Sequence, residues 1–382
     1  ATVWPKNDAQ NTSADRLTFA LIHLTSSEYH IPTASFNKAA GGDAGILSCK
    51  PMHQSTLFIF NPETDFARSL ANGIYTPTAP VAELKRRLAL TPALLGTEGD
   101  MVLISDAIGE SDLIALPHFD EIKALGIRII RESELKDADP DKIVPWGWDN
   151  TLTGFLSRHG VSSRLIPDEE QIKTIRELSH RRISIAFHQK LSQASLSDYA
   201  HIPKEIFEVS QLKGILKGMP QAYLKAPWSS SGRGVIRTAD YSLDKTLQWA
   251  GGIMRRQQSV IVEPAWAKTL DFASEWECES GLAHFIGYSV FSTKPGGGYL
   301  KNEIIPQSKL EHIIRQHTPL DINYIIDTQK IIIEELIAPR YDGPLGIDML
   351  ANSVDGRVNA CVEVNLRLTM GRIAIERAAR LR

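Results

Sequence analysis

The most informative stretch of this sequence is YLKAPWSSSGRGV, residues 223–235. An apolar pair leads to Lys225, and three serines with Gly-Arg-Gly precede the return to apolar residues. Glycine lets the backbone approach a ligand closely, and consecutive backbone N–H groups can bind an anion. A simple hairpin needs only about two to five residues. The stretch is either a phosphate-binding loop beside Lys225 or a flexible turn beside an exposed lysine, and these residues alone favour neither.

Two common phosphate-binding patterns are absent from the sequence. It has no GxxxxGK[ST] loop, and no GxGxxG follows a strand. A Walker-type loop is therefore excluded, and a dinucleotide-binding fold is disfavoured.

Alternating elements surround this stretch on both sides. We predict strands at 205–209, 222–227, 234–238 and 259–264, and helices at 211–218 and 242–256. The strand VIVEP (260–264) ends in Glu263 and Pro264. Such a strand fits a hinge whose backbone contacts a purine edge, and it fits an ordinary buried strand equally well.

Upstream, short apolar runs alternate with helical patterns. TLFIF (56–60), MVLIS (101–105) and IRIIRE (127–132) predict strands, and the stretches near 64–72 and 117–126 predict helices. Strand-helix alternation of this kind predicts a parallel sheet with right-handed crossovers.

The chain length predicts more than one domain. We expect an α/β domain over 55–150, a helical linker over 151–180 and a further domain over 181–382. Residues 1–54 are rich in small and polar residues and predict a disordered or non-native extension, with Met52 as the natural start. One apolar run, LTFALIHL (17–24), interrupts this segment. Trp146 and Trp148 are expected to pack domains together, or alternatively to line a substrate site.

The last two predicted strands, GIDML (346–350) and RVNACVEVNLR (357–367), carry a second chemical signal. Glu363, Asn365 and Arg367 alternate, so they share one face of a strand, and Asp348 lies on the strand before. Two carboxylates and an amide oxygen are the ligands that Mg²⁺ takes, and arginine neutralises further phosphate charge. The alternative is a polar sheet face with a local Glu363–Arg367 pair. The apolar residues between them favour the functional interpretation.

Two strands precede this pair. DFASEWEC (271–278) alternates apolar and acidic residues, which predicts an antiparallel strand with one solvent-facing side, and AHFIGYSVF (283–291) is expected to pair with it. The glycine-rich segment KPGGGYLKN (294–302) is either a mobile loop or a lid that presents Tyr299 and Asn302 to a substrate.

Composition and charge exclude several classes of protein. The net charge of −3 provides no global field for nucleic acid. Three widely spaced cysteines support neither a disulfide framework nor a zinc site. No apolar run is long enough to span a bilayer, and no signal peptide is evident. We therefore expect a cytoplasmic protein with no nucleic-acid or membrane partner, and the sequence leaves its oligomeric state open.

The order of these signals resembles the ATP-grasp superfamily over roughly residues 180–375. The order is a lysine strand with a Gly/Ser loop, an apolar strand ending in Glu-Pro, and Asp followed by Glu-x-Asn-x-Arg on two late strands. FNPETDF (60–66) together with PWGWDN (145–150) is similar to a subgroup of uncharacterised ATP-grasp proteins. The resemblance implies an α/β and α+β architecture, in which an N-terminal pre-ATP-grasp α/β domain precedes an ATP-grasp fold of two α+β subdomains.

The resemblance also implies ATP and Mg²⁺ as cofactors and assigns roles to residues. Lys225 would contact the ATP phosphates, Glu263 and Pro264 would form the adenine hinge, and Arg367 would stabilise the transferred phosphate. Arg182 stands where the family often has a nucleotide-contacting lysine. The metal ligands would be Asp348, Glu363 and Asn365. The loop over the phosphates would consist of Ser229, Ser230, Ser231, Gly232, Arg233 and Gly234.

The activity that the resemblance implies is ligation of a small-molecule carboxylate to an amine, or to a thiol, through an acyl phosphate. An ATP-grasp kinase and a non-catalytic ATP-binding module remain as alternatives. The sequence identifies neither co-substrate.

Overall fold

The computed structural model describes residues 54–381, apart from residues 72, 198–201, 220, 230–233 and 295–297. A parallel four-stranded sheet comes first, in the order β3-β2-β1-β4. Its strands are β1 (Thr56–Ile59), β2 (Met101–Ile104), β3 (Arg128–Arg131) and β4 (Lys142–Pro145). The predicted parallel sheet is thus confirmed, and it gains β4, which the sequence patterns did not identify.

Helices cover both faces of this sheet. They are α1 (Thr64–Ser69), α2 (Ala79–Arg87), α3 (Glu110–Ile114), α4 (Phe119–Ala124) and α5 (Asn150–Arg158). Phe58 and Val102 belong to the apolar core on one face, and Leu57 and Met101 belong to the core on the other. Both faces are buried, which explains why these strands read as continuous apolar runs.

Two helices, α6 (Glu169–Leu178) and α7 (Arg182–Gln193), follow. Asp168 and Gln171 form a capping box that begins α6. The apolar side of α6 packs in the same core as Phe187 of α7. Part of the stretch expected to be a linker is therefore core structure, and the domain boundaries stay a prediction.

A second sheet is antiparallel and has the order β5-β8-β6-β7. Its strands are β5 (Lys204–Ile206), β6 (Ala222–Lys225), β7 (Val235–Arg237) and β8 (Val260–Pro264), with helices α8 (Val209–Gly218) and α9 (Leu243–Gln257). β5 ends before Phe207, whose ring is 57% exposed, so the predicted strand over 205–209 is too long.

The third sheet has five antiparallel strands in the order β11-β10-β9-β12-β13. They are β9 (Lys268–Glu279), β10 (Leu282–Thr293), β11 (Tyr299–Asn302), β12 (Gly343–Asn352) and β13 (Val358–Asn365). The helices are α10 (Gln307–His317), α11 (Ile322–Leu336) and α12 (Met370–Arg380). One face carries the main apolar core, which includes Trp276, Ile347 and Ile333. The other face carries Asp348, Glu363 and Asn365 and borders a cavity.

The expectation that one side of β9 faces solvent is wrong. Glu275, in the middle of the acidic side, is only 3% exposed. Helix α12 packs across this side of the sheet. Alternation therefore predicted the two faces of the strand, but not that both would be buried.

Two further expectations concern the N-terminal segment and membrane-spanning helices. The extension over residues 1–54, including LTFALIHL and Met52, lies outside the described residues except for residue 54. Within the described ranges, no helix has the length and apolarity that crossing a bilayer requires.

Candidate functional site

Strands β12 and β13 bring the predicted acidic residues together. Asp348 and Glu363 are direct cross-strand neighbours. Asn365 lies two residues further along β13, and its Nδ2 donates to Asp348 Oδ2 at 3.2 Å. All three side chains line one cavity of about 210 Å³. Period-two alternation placed them on this face because their apolar neighbours Ile347 and Val364 belong to the core behind it.

The two facing carboxylates resist simultaneous ionisation. Burial, and then the charge of Glu363, raise the pKa of Asp348 to about 7. A cation between the two carboxylates would relieve this repulsion. Two carboxylates and an amide oxygen are hard donors of the kind that Mg²⁺ takes. The oxygen of Asn365 accepts from Arg367 Nη2 at 2.8 Å, so it would have to exchange this partner for the ion.

In the described part of the chain, the two carboxylates are not joined by a third acidic, histidine or cysteine ligand. Among the described residues, no group of three or more His, Cys, Asp or Glu side chains is placed to hold a metal ion. A metal site with three protein ligands at this face would therefore need Asn365 as well as the two carboxylates.

Arg367 is held by a residue from the other end of the chain. Its Nε donates to Asp65 Oδ2 at 2.8 Å, and its Nη2 donates to Asn365 Oδ1 at 2.8 Å. Burial alone would raise the pKa of Asp65, but Arg367 and Arg68 outweigh it and hold that pKa below its usual range. Arg367 is therefore paired with a stable anion from α1, and the alternative local pair with Glu363 is not formed.

Glu363 instead pairs with Arg181, which the sequence analysis passed over. Arg181 is buried, and its Nη2 donates to Glu363 Oε1 at 2.6 Å. Its Nη1 donates to Ser229 Oγ at 2.7 Å. Arg181 thus links the base of the serine-rich loop to the acidic face of β13.

The predicted nucleotide-contacting residue is the adjacent one, Arg182. Its side chain is 56% exposed and pairs with Glu205 of β5 at 2.8 Å. The resemblance indicated an arginine at this point of the chain, but the sequence could not show which of the two consecutive arginines has its side chain in the interior.

Lys225 points towards the same region from the second sheet. It is buried, its Nζ lies 2.6 Å from Glu263 Oε1, and it donates to the carbonyl oxygen of Val362 at 3.2 Å. The exposed-lysine interpretation is therefore wrong. Pro264 ends the same strand as Glu263.

The serine-rich loop is described only at its two ends. Ser229 is buried, and Gly234 has a φ of +69°. A Cβ at Gly234 would lie 2.7 Å from Ser229 Cβ, so the conformation and the packing both require glycine here. Ser230, Ser231, Gly232 and Arg233 lie outside the described residues.

Glu275 is a further charged residue that the sequence analysis missed. It accepts from Thr369 Oγ1 at 2.7 Å and from Ser289 Oγ at 3.3 Å, and it lines the cavity beside Asp348. Burial is the largest cause that raises its pKa to about 8. Nothing in the alternating pattern of β9 distinguished it from the less buried Glu277.

The motifs FNPETDF and PWGWDN meet at the end of β13. Asn61 Nδ2 donates to the carbonyl oxygen of Gly147 at 2.6 Å and to Asp149 Oδ2 at 3.1 Å. A Cβ at Gly147 would lie 3.1 Å from Arg367 Cβ. The amide of Leu368 donates to the Trp146 carbonyl oxygen at 2.8 Å. The two motifs thus pack together and contact the backbone segment that carries Arg367.

Comparisons with known proteins bear on the fold. No protein-family model and no curated protein matches the sequence. Among solved structures, pyruvate carboxylase from Rhizobium etli is 14% identical and has a TM-score of 0.50; the match covers 84% of this chain and 27% of that one.

Two other solved structures are similar at lower TM-scores. Biotin carboxylase from Campylobacter jejuni is 15% identical over 85% of this chain and 67% of that one, with a TM-score of 0.49. N5-carboxyaminoimidazole synthetase from Staphylococcus aureus, complexed with ADP, is 12% identical over 82% of this chain and 71% of that one, with a TM-score of 0.45. At these TM-scores the two similarities carry no further argument. With its parallel sheet followed by two antiparallel sheets, the chain has the ATP-grasp fold.

Proposed function

We propose that this protein is an ATP- and Mg²⁺-dependent ligase that joins a small-molecule carboxylate to an amine. The observation that carries the proposal is the convergence of Asp348, Glu363, Asn365 and Arg367 on one cavity. Two carboxylates that face each other, one of them with a raised pKa, are not explained by ordinary ion pairs on the protein surface. Together with a buried arginine, they are typical of a functional site.

The roles follow from charge and position. Asp348, Glu363 and Asn365 would hold Mg²⁺, which neutralises phosphate charge when it is bound. Arg367 would stabilise the negative charge on the transferred phosphoryl group. Lys225 would leave Glu263, and Arg181 would leave Glu363, to contact the ATP phosphates. Because Arg181 lies beside Ser229 and Glu363, we assign it the phosphate contact, and a nucleotide contact for Arg182 stays a prediction.

The reaction would proceed in two steps. A carboxylate oxygen attacks the γ-phosphorus of ATP, the bond to the ADP oxygen breaks, and an acyl phosphate forms. The amine nitrogen then attacks the acyl carbon, the C–O bond to phosphate breaks, and the nitrogen loses a proton. Neither step needs a side-chain nucleophile, because positioning and charge neutralisation supply the catalysis. The serine-rich loop from Ser229 to Gly234 would close over the phosphates, and Glu263 and Pro264 would border the adenine.

Two measurements test this proposal. ATP with Mg²⁺ should raise the melting temperature, since a ligand that binds only the folded state stabilises it by mass action. Incubation with ATP, Mg²⁺ and pooled amino acids and carboxylic acids should release phosphate only when two co-substrates are present. ADP without free phosphate would indicate a kinase instead. An unchanged melting temperature at millimolar ATP would contradict the nucleotide site itself.

A further inference from the structure

The cavity that borders the candidate metal site has two chemically different walls. The five-stranded sheet contributes the acidic residues, and the segment after β13 contributes Arg367. A second group of lining residues, here called the apolar wall, comes from the parallel-sheet part of the chain. Its members are Phe60, Pro62, Leu84, Leu88 and Trp146.

The apolar wall is held in place by the core behind it. The rings of Phe60 and Trp146 meet edge to face, with centroids 4.9 Å apart. The Trp146 amide donates to the Ile59 carbonyl oxygen at 2.7 Å. Leu88 is 7% exposed and belongs to the same core. A wall held in this way offers dispersion and hydrophobic contact to a ligand but no hydrogen bonds from its side chains, apart from the indole N–H.

The charges around the cavity restrict its ligand further. Among the described residues that line it, Arg367 is the only cation, and Asp65 and Asn365 already engage its guanidinium. In the proposed function Mg²⁺ and Arg367 serve the phosphate groups of ATP. A substrate with two or more anionic groups would therefore bring at least one of them into a buried site without a counter-charge, which is costly.

One polar side chain of the cavity has a buried donor that is available to a ligand. Asn302 is 6% exposed, and its Oδ1 accepts from the Tyr299 hydroxyl at 2.7 Å. Burial raises the pKa of Tyr299, so that this hydroxyl keeps its proton. The hydrogen bond leaves the Nδ2 of Asn302 as a donor, and that atom is buried without a hydrogen-bond partner among the described residues. A buried donor in this state favours a ligand that brings an oxygen acceptor.

We propose that the co-substrate of this cavity is a small monocarboxylate with an apolar body, of which an α-amino acid with an apolar side chain is the simplest example. Its apolar part lies against Phe60, Leu88 and Trp146, and one of its oxygens accepts from Asn302 Nδ2. Dicarboxylates and phosphorylated compounds are disfavoured. This inference rests on the proposed ligase function, because it assigns a ligand class to the same site.

Binding calorimetry tests the ligand class directly. The full chain is saturated with a non-hydrolysable ATP analogue and Mg²⁺, and leucine, phenylalanine, aspartate and O-phosphoserine are titrated in turn. Leucine or phenylalanine should bind at least about tenfold more tightly than either anionic probe, because the second anionic group would be buried unpaired. Equal or tighter binding of aspartate or O-phosphoserine would overturn the inference, as would no binding of any probe. Failure of the ATP analogue itself to bind would count against the proposed function instead.

Two variants test the residues. Leu84→Lys places a cation on the apolar wall and should shift the preference towards aspartate. Ile114→Lys, a change at a 63% exposed position on α3, is the control and should leave the preference unchanged. Asn302→Asp keeps the shape of the side chain and removes its N–H donor, so leucine should bind roughly tenfold more weakly. Melting temperatures confirm that each variant folds, and a folded Leu84→Lys variant with the original preference would refute the assignment of the wall.

Discussion

At the scale of single residues, the candidate site depends on which charges are paired. Glu363 pairs with Arg181, Arg367 pairs with Asp65, and Lys225 pairs with Glu263. Each of these cations therefore has a carboxylate partner within the protein. Binding of ATP and Mg²⁺ would have to break the Glu363–Arg181 and Lys225–Glu263 pairs. The Arg367–Asp65 pair would remain.

Glu363→Gln tests the metal assignment. The change keeps the shape of the side chain and removes one of two facing negative charges, so Mg²⁺ should be held about tenfold less tightly or worse. Titration of Mg²⁺ in the presence of ATP, followed by ADP release, measures this. Glu335→Gln, on a half-exposed residue that pairs with Lys190, is the matched control. Superimposable curves for Glu363→Gln and the wild type would contradict the metal site.

Asp65→Asn tests whether Asp65 positions Arg367. Removing the anion leaves Arg367 without its charged partner, so kcat should fall by ~10–100-fold while the KM for ATP changes little. Steady-state kinetics separate the two constants. Asp65→Glu should restore part of kcat, and Asp112→Asn, at an exposed position, should have no effect. An unchanged kcat in Asp65→Asn would reduce the contact to ordinary packing.

At the scale of secondary-structure elements, helix α12 must pack very closely on β9 and β10. A Cβ at Gly371 would lie 2.1 Å from Glu275 Oε1 and 2.4 Å from Ser289 Oγ. Thr369, which caps this helix, also hydrogen-bonds Glu275. The helix and the buried carboxylate are therefore positioned by each other.

Gly371→Ala should weaken this contact. The added methyl group has no space, so the free energy of unfolding should fall by ~1–3 kcal/mol. Gly214→Ala is the control, because a Cβ added there would have no neighbour within 4 Å and the site is inside α8. There the better helix propensity of alanine should raise stability by up to ~1 kcal/mol. Urea unfolding measures both variants, and equal effects would show that α12 moves aside freely.

At the scale of the whole molecule, buried acids of the cavity should make stability depend on pH. Glu275 has a pKa of about 8 in the folded protein against 4.5 as its ordinary value. The folded state therefore binds this proton more tightly than the unfolded chain does. The contribution to stability is complete below the ordinary value and is lost as the pH rises through about 8.

Glu275→Gln should remove this pH dependence, since glutamine resembles the protonated acid. Its stability should be close to that of the wild type at about pH 4, below the ordinary pKa of 4.5, and should exceed it at about pH 9. Urea unfolding at the two pH values, without Mg²⁺, measures the difference. Parallel changes in the wild type and the variant would show that Glu275 ionises freely.

Local patterns in the sequence were enough to predict much of the architecture of this protein. Apolar runs and helical spacing predicted β1, β2 and β3 as a parallel sheet, and alternation placed Glu363 and Asn365 on one face of β13, with Arg367 two residues beyond its end. These features depend on residues close together in the chain, where backbone geometry sets the direction of each side chain. For the same reason, Lys225 and its loop were recognisable as a candidate site.

Which charged side chains pair with each other depends on how the chain folds in three dimensions. Asp65 and Arg367 are 302 residues apart, and no local pattern relates them. The choice between Arg181 and Arg182 depends on how α7 packs, and the burial of Glu275 depends on α12 covering β9. Periodicity describes the faces of an element, but what covers each face is decided by elements distant in the sequence, because burial and charge pairing are properties of the assembled fold.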